Sequence, residues 1–195
     1  MKYALIVSHP HEQSFTVSVA KTVQAALQAR GHEAVLRDLY RMGFDPRLGE
    51  GEIPGPHGFE PADDVKAERA VVADAAGFAF VYPVWFNAPP AMLKGYIDRV
   101  FGMGFGYGMA EEGGNTPLLN GRSLISFTSS GAPMNWLVET GAWGAMRKLF
   151  DEHVANVCGL SVLDHVHFGG VTPNMTPEAA ESCLDQVRAV VARRF

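Results

Sequence analysis

Short apolar runs alternate with stretches of helical periodicity along most of the chain. Lys2–Val7 is a β-rich, largely apolar run, which predicts a strand buried on both faces. Phe15, Val19, Val23, Ala26 and Leu27 recur at helical spacing, and Gly31 closes that helix. Further strands are predicted over Glu33–Leu39, Phe78–Tyr82, Arg122–Thr128 and Ser161–Phe168. Helical patterns fill Ala62–Ala75, Pro90–Phe101 and Gly141–Val157. The last helix, Thr176–Arg193, has Thr176 as N-cap, Pro177 at its first position and Glu178 in its first turn.

This βαβαβαβαβα order, without a repeat or a second core, predicts one domain spanning residues 1–195. Strict alternation implies a parallel sheet with helices on both faces, a three-layer α/β fold. Five strands suit a doubly wound sheet of order 2-1-3-4-5. Ligands of such sheets bind beyond the carboxyl ends of the strands, where the order reverses between strands 1 and 3. That rule singles out the loops after Val7, Tyr82 and Thr128. The Gly- and Pro-rich stretch 40–61 is expected to be a long irregular surface loop of the kind that often carries function, and its His57 could reach a substrate.

The first loop, from Ser8 to Thr16, ends at a helix N-terminus, where free N–H groups and the helix dipole favour an anion such as phosphate. His9, Ser14 and Thr16 add donors; simple capping by Ser14 is the plainer alternative. The second loop carries Pro83-Val84-Trp85-Phe86-Asn87 between prolines. Aromatic side chains at a strand end can stack on a flat ligand, or they can belong to a core or an interface. In the third loop, Thr128-Ser129-Ser130-Gly131, small residues let backbone N–H groups approach a ligand closely. Together the loops imply a flat, polar-edged heterocycle joined to phosphate, which a flavin nucleotide satisfies. Neither Gly-x-Gly-x-x-Gly nor a Walker A loop is present.

The run from Tyr82 to Phe101, followed by Gly104-Phe-Gly-Tyr-Gly108, resembles the signature of the NAD(P)H:quinone oxidoreductase family. The resemblance extends to His9…Ser14-Phe15, Leu119-Asn-Gly-Arg122 and Cys158-Gly-Leu160, and so to nearly the whole chain. It implies a flavodoxin-like fold, bound FAD with FMN as the alternative, and a homodimer with sites at its interface. It also implies hydride uptake from NAD(P)H and transfer of two electrons to a quinone or similar acceptor. By motif position, His9, Ser14, Phe15 and Thr16 hold the phosphate end. Pro83, Val84, Trp85, Phe86 and Asn87 line the isoalloxazine, and Thr128, Ser129, Ser130 and Gly131 bond its polar edge. Phe105 and Tyr107 fall where the partner subunit closes over the flavin. Trp136 occupies the place of a tyrosine in the mammalian members, and Gly141-Ala142-Trp143 surrounds the place of their histidine. Tyr107 and Trp136 are accordingly the candidate catalytic residues. The Ser14-Phe15-Thr16 loop resembles that of FAD-binding members, and the 40–61 stretch is long enough to cover an adenosine.

Composition narrows the class further. The chain has 195 residues, 47% hydrophobic and 19% charged, which is ordinary globular chemistry. A net charge of −5 argues against a general grip on nucleic acid. It is also modest for an electron carrier, the rival reading on this fold; a transporter-associated regulatory subunit is a third. No apolar run is long enough to insert in a membrane, and the first residues lead straight into a strand rather than a signal peptide, so a cytoplasmic protein is expected. Cys158 and Cys183 stand in apolar surroundings and suit small core residues. His165 and His167 share a strand face, but with no third ligand nearby no metal site is expected.

Overall fold

The computed structural model describes residues 1–55, 58–110 and 113–195, so His57 lies outside the described residues. The chain runs β1 (Lys2–Val7), α1 (Phe15–Ala29), β2 (Glu33–Asp38), α2 (Asp63–Val72), β3 (Gly77–Pro83) and α3 (Ala91–Val100). It continues through β4 (Tyr107–Met109), β5 (Asn115–Pro117), β6 (Ser123–Ser129), α4 (Met134–Glu139) and α5 (Ala142–Met146). A π-turn over Arg147–Glu152 leads into α6 (His153–Cys158), β7 (Ser161–Phe168) and α7 (Pro177–Arg194). Five parallel strands form one sheet in the order β2-β1-β3-β6-β7. Counted along that sheet alone, this is the predicted 2-1-3-4-5.

The apolar pattern explains both layers. Val17, Val23 and Leu27 of α1 and Val187 and Val191 of α7 cover one face, against Leu5, Val7, Val81 and Phe127. Val65 and Val72 of α2 and Leu93, Tyr96 and Val100 of α3 cover the other, against Ile6, Phe78, Phe80 and Leu124. Cap chemistry sets the ends as predicted. Ser14 accepts from the Val17 N–H at 3.2 Å, and Thr176 from the Ala179 N–H at 3.2 Å.

Three regions depart from the sequence pattern. The predicted helix 141–157 is segmented. Gly141, at φ +74°, separates α4 from α5, and the π-turn then widens the helix. The extra residue in that turn lets Phe150 and Asp151 both face inward, while Leu149 is exposed. The glycine-rich stretch after α3 forms an antiparallel hairpin, β4 against β5, with Tyr107 opposite Pro117. Phe101 and Phe105 of this stretch pack on Phe78, so part of its apolar character belongs to the core.

The 40–61 loop is fastened rather than free. The buried Arg99 of α3 reaches it at Glu52, with Nε to Oε2 at 3.0 Å, and also donates to the carbonyl of Asp45. Pro46 lies so close to α3 that a Cβ on Gly95 would stand 2.2 Å from the Pro46 carbonyl oxygen, which is why glycine occupies this helix interior.

Candidate active site

A cleft of about 180 Å³ opens at the carboxyl ends of β1, β3 and β6. It is lined by His9, Ser14, Phe15, Thr16, Pro83, Val84, Trp85, Ser129, Ser130, Gly131 and Val171. Strand β1 pairs with both β2 and β3, so this is the switch point that the topology predicts. Of the residues expected to bind a cofactor, all but Phe86, Asn87 and Thr128 lie along it. Val171, which follows β7, lines it too and was not foreseen.

The α1 end of the cleft is built for an anion. Ser14 takes up the Val17 N–H through its side chain and the Ser18 N–H through its carbonyl. The N–H groups of Phe15 and Thr16, in the first turn, have no acceptor within the helix. The Ser14 hydroxyl proton remains available, because the oxygen acts as acceptor in the cap. His9 Nδ1 lies 3.0 Å from the His11 N–H and 3.2 Å from the His11 carbonyl; in the tautomer that accepts the shorter bond, the neutral ring carries its proton on Nε2 as a further donor. Burial pulls the His9 pKa below its ordinary value, which keeps that ring neutral. Arg41 anchors the loop by donating to the carbonyls of His9 and Pro10 at 3.0 and 2.7 Å. No carboxylate lines the cleft among the described residues. This donor set fits a phosphate group.

The aromatic wall is held in a tight turn. Trp85 and Ala88 exchange N–H···O bonds of 3.0 and 3.1 Å, with Phe86 and Asn87 at φ +50° and +56° between them. Two successive left-handed residues without a glycine cost roughly 1–2 kcal/mol for the phenylalanine, less for the asparagine. Asn87 donates from Nδ2 to the Ala142 carbonyl at 3.0 Å, tying the turn to the start of α5. The result is a fully exposed Phe86 ring beside a Trp85 ring 6.0 Å from His9. Strain that displays an aromatic ring to solvent makes this turn a candidate ligand or partner contact.

The structure places the two candidate catalytic residues outside this cleft. Tyr107 lines a second cleft, with Arg69, Phe59 and Met103. Trp136 stands half-exposed on α4. Within one chain this cleft contains neither.

Thr128 closes β6 at the predicted strand end, and Ser129, expected in the loop, extends the strand by one residue; both are buried. The Thr128 hydroxyl is engaged on its own side of the sheet, 2.7 Å from His165 Nε2 and 2.8 Å from His167 Nδ1. His167 Nε2 lies 3.0 Å from the Ser130 hydroxyl, which lines the cleft. At the far end His165 Nδ1 pairs with Asp151, whose second oxygen accepts from Ser126 at 2.7 Å. The i, i+2 spacing of the two histidines correctly put them on one face. The residue that completes the network, Asp151, was not foreseen, because the π-turn and not a regular helical spacing brings it inward.

Burial, with His165 nearby, pulls the His167 pKa down to about 4. Because the unfolded chain then binds a proton that the folded chain refuses, stability is expected to fall as pH drops from about 6.5 to about 4. Below that it should level off for this group. Urea midpoints across the range check this, and His167→Gln should remove that part of the slope.

The chain belongs to the flavodoxin-like fold family, whose model matches residues 1–192. An uncharacterised NAD(P)H oxidoreductase of Haemophilus influenzae is 29% identical over 172 residues, covering 88% of this chain and 85% of its own length. NAD(P)H dehydrogenase (quinone) 1 of Cavia porcellus is also 29% identical, over 180 residues, covering 82% of this chain and 65% of its own. A solved NAD(P)H:quinone oxidoreductase from Methanothermobacter marburgensis superposes with a TM-score of 0.83 at 26% identity, covering 98% and 97% of the two chains. No helix among the described residues is long and apolar enough to cross a membrane.

Proposed function

We propose that the protein is a flavin-dependent NAD(P)H:quinone oxidoreductase. The observation that carries this reading is the cleft itself. A helix N-terminus with Ser14 and His9 as donors lies across the switch point from the strained Trp85-Phe86 turn, in a chain whose relatives bear oxidoreductase names. Bound flavin would supply the redox chemistry, accepting hydride from NAD(P)H and passing two electrons to a quinone or similar acceptor. The residues of this chain bind and orient it. Phe15 and Thr16 N–H groups, Ser14 and His9 would hold the phosphate end. Trp85 and Phe86 would flank the ring, with Pro83, Val84 and Asn87 shaping that loop. Ser129, Ser130 and Gly131 would meet its polar edge, Thr128 supporting them from the strand. The absorption spectrum of the purified protein tests this: a colourless chain that binds neither FAD nor FMN overturns it.

FAD is the finer choice, and it rests on the Ser14-Phe15-Thr16 loop alone. The 40–61 segment gives it no support, because Arg99 holds that segment over α3 and none of its described residues lines the cleft. Finding FMN after heat release of the cofactor overturns the choice and leaves the activity standing.

A homodimer, working in the cytoplasm, completes the reading. The cleft is smaller than the roughly 300–1,000 Å³ of ordinary ligand sites, so a flat tricyclic ring needs a further wall. Trp85, Phe86, Met109, Leu118 and Trp136 are all exposed apolar side chains. A second copy would cover such side chains and could bring its Tyr107 to the neighbouring flavin. Light scattering at micromolar concentration is expected to give a dimer mass; a monomer contradicts this assembly.

A further inference from the structure

We propose that Asp151–His165–Thr128–His167–Ser130 is a proton relay, exchanging one proton between the cleft and the buried His165–Asp151 pair. The inference rests on the reading of the cleft as a redox site. It concerns how that site obtains or disposes of the proton that must accompany a two-electron, hydride-type reduction of an acceptor.

The geometry permits two complete sets of donors and acceptors. In the first, the Ser130 hydroxyl donates to the Ala132 carbonyl at 2.9 Å, so its oxygen accepts from His167 Nε2–H at 3.0 Å. Neutral His167 then accepts at Nδ1 from the Thr128 hydroxyl at 2.8 Å. Thr128 has one proton, now used, so it accepts from His165 Nε2–H at 2.7 Å. His165 Nδ1–H donates to Asp151, which makes the ring an imidazolium against a carboxylate. In the second set each link between Ser130 and His165 Nε2 is reversed. Ser130 donates to His167 Nε2, His167 Nδ1–H to Thr128, and Thr128 to His165 Nε2, while His165 keeps Nδ1–H toward Asp151.

The two sets differ by one proton. Passing from the first to the second, the Ser130 hydroxyl turns from the Ala132 carbonyl, releases its proton to the anionic acceptor that has taken hydride in the cleft, and takes the proton on His167 Nε2. His167 Nδ1 takes the Thr128 proton, and Thr128 takes the proton from His165 Nε2. Three protons each cross one hydrogen bond, a fourth leaves from Ser130, and the imidazolium becomes neutral.

The surroundings suit this role. His165, Thr128, Ser126 and Asp151 are buried, and the register places Ser126 opposite His165 and Thr128 opposite His167. Trp143 packs edge-on against His165 at 4.7 Å and lies 5.6 Å from His167, shielding the rings from water. His167, held neutral by burial, passes a proton without storing it, and the extra proton of the first set lies on the His165 ring that faces Asp151. Among the described residues, the other charged or titratable groups around the pair are few. Arg147 stands 5.6 Å from the Trp143 ring, and the buried Tyr82 hydroxyl of β3, raised well above its ordinary pKa by burial, senses Asp151. Asp164 of β7, next to His165, pairs with Arg194.

Long-range ¹H–¹⁵N NMR of the histidine rings in the flavin-loaded protein reads protonation and tautomer directly. Across a pH series, His167 is expected to be Nε2–H whenever the His165 ring carries two protons and Nδ1–H whenever it carries one, the two changes coinciding. A His167 that keeps a single tautomer, or changes at a separate midpoint, overturns the relay. Thr128→Val should leave His165 titrating and abolish the His167 switch, and Thr128→Ser should restore it; coupling that survives in the valine variant also overturns the relay. If the valine variant does not fold, the wild-type titration decides alone. Reduction of acceptor by the pre-reduced protein should slow at least about tenfold in Thr128→Val. A wild-type chain that binds no flavin overturns the site reading, whereas a flavin-bound chain with independent histidines overturns only the relay.

Discussion

Arg99→Ala is expected to destabilise the fold by about 3–5 kcal/mol, the range for removing one partner of a buried ion pair. Arg99 is 5% exposed and serves three acceptors from different parts of the chain. It donates to Asp64 of α2 at 2.7 and 2.8 Å, to Glu52 at 3.0 Å and to the Asp45 carbonyl. Its guanidinium also lies over the Phe44 ring, 5.3 Å from the centroid. Asp64 is half-exposed and can turn to water, but the Glu52 side chain is only 7% exposed and would keep a charge without its partner. The pull of Arg99 holds the Asp64 carboxyl below its usual pKa, so the variant should also lose part of its acid sensitivity. Arg99→Lys should recover only a fraction, because one ammonium cannot span two carboxylates and a carbonyl. Urea denaturation measures the loss. A change below about 1 kcal/mol would show that the 40–61 loop is held by something other than this residue.

The sheet was legible because its strands are apolar enough to be buried on both faces and each is followed by a helical pattern. Lys2–Val7 appears at the predicted bounds, and Ser161–Phe168 does so as well. Strand order followed from alternation, and alternation plus order located the cleft before any side chain was placed. What escaped reading depends on long-range contacts. Nothing local in Arg147–Glu152 demands a π-turn; it arises where Phe150 must fill the core beside Tyr82 while Asp151 meets His165. Thr128 marked the predicted end of its strand, and Ser129 looked like a loop residue because small polar side chains favour turns. Their place in β6 follows from partners on β7 that lie some forty residues away in sequence. The glycine-rich 101–109 stretch lies partly in the core: Phe101 is buried, because α3 delivers it directly onto Phe78 and Phe80.

Phe86→Ala is expected to weaken flavin binding by about 1–3 kcal/mol, roughly fivefold to 150-fold, while leaving the stability of the cofactor-free chain within about 0.5 kcal/mol. The two halves of this expectation come from one observation. The ring is fully exposed in the single chain, so its removal deletes no core contact. It is nevertheless held out by a turn whose two central residues both take positive φ, a conformation that asparagine tolerates and phenylalanine does not favour. A pair such as Asn-Gly would form the same turn at lower cost. Phe86→Asn combined with Asn87→Gly should therefore raise stability by about 1 kcal/mol. It would also remove the aromatic surface and the Asn87 bond to Ala142, and flavin affinity should fall at least as far as in the alanine variant. Titration of the cofactor-free protein with flavin, paired with urea unfolding, separates the outcomes. Affinity unchanged with stability lowered would make Phe86 a structural residue. Affinity lost with stability kept or raised means that the turn is strained for the sake of its ligand, as expected when an unfavourable backbone is retained at a functional site.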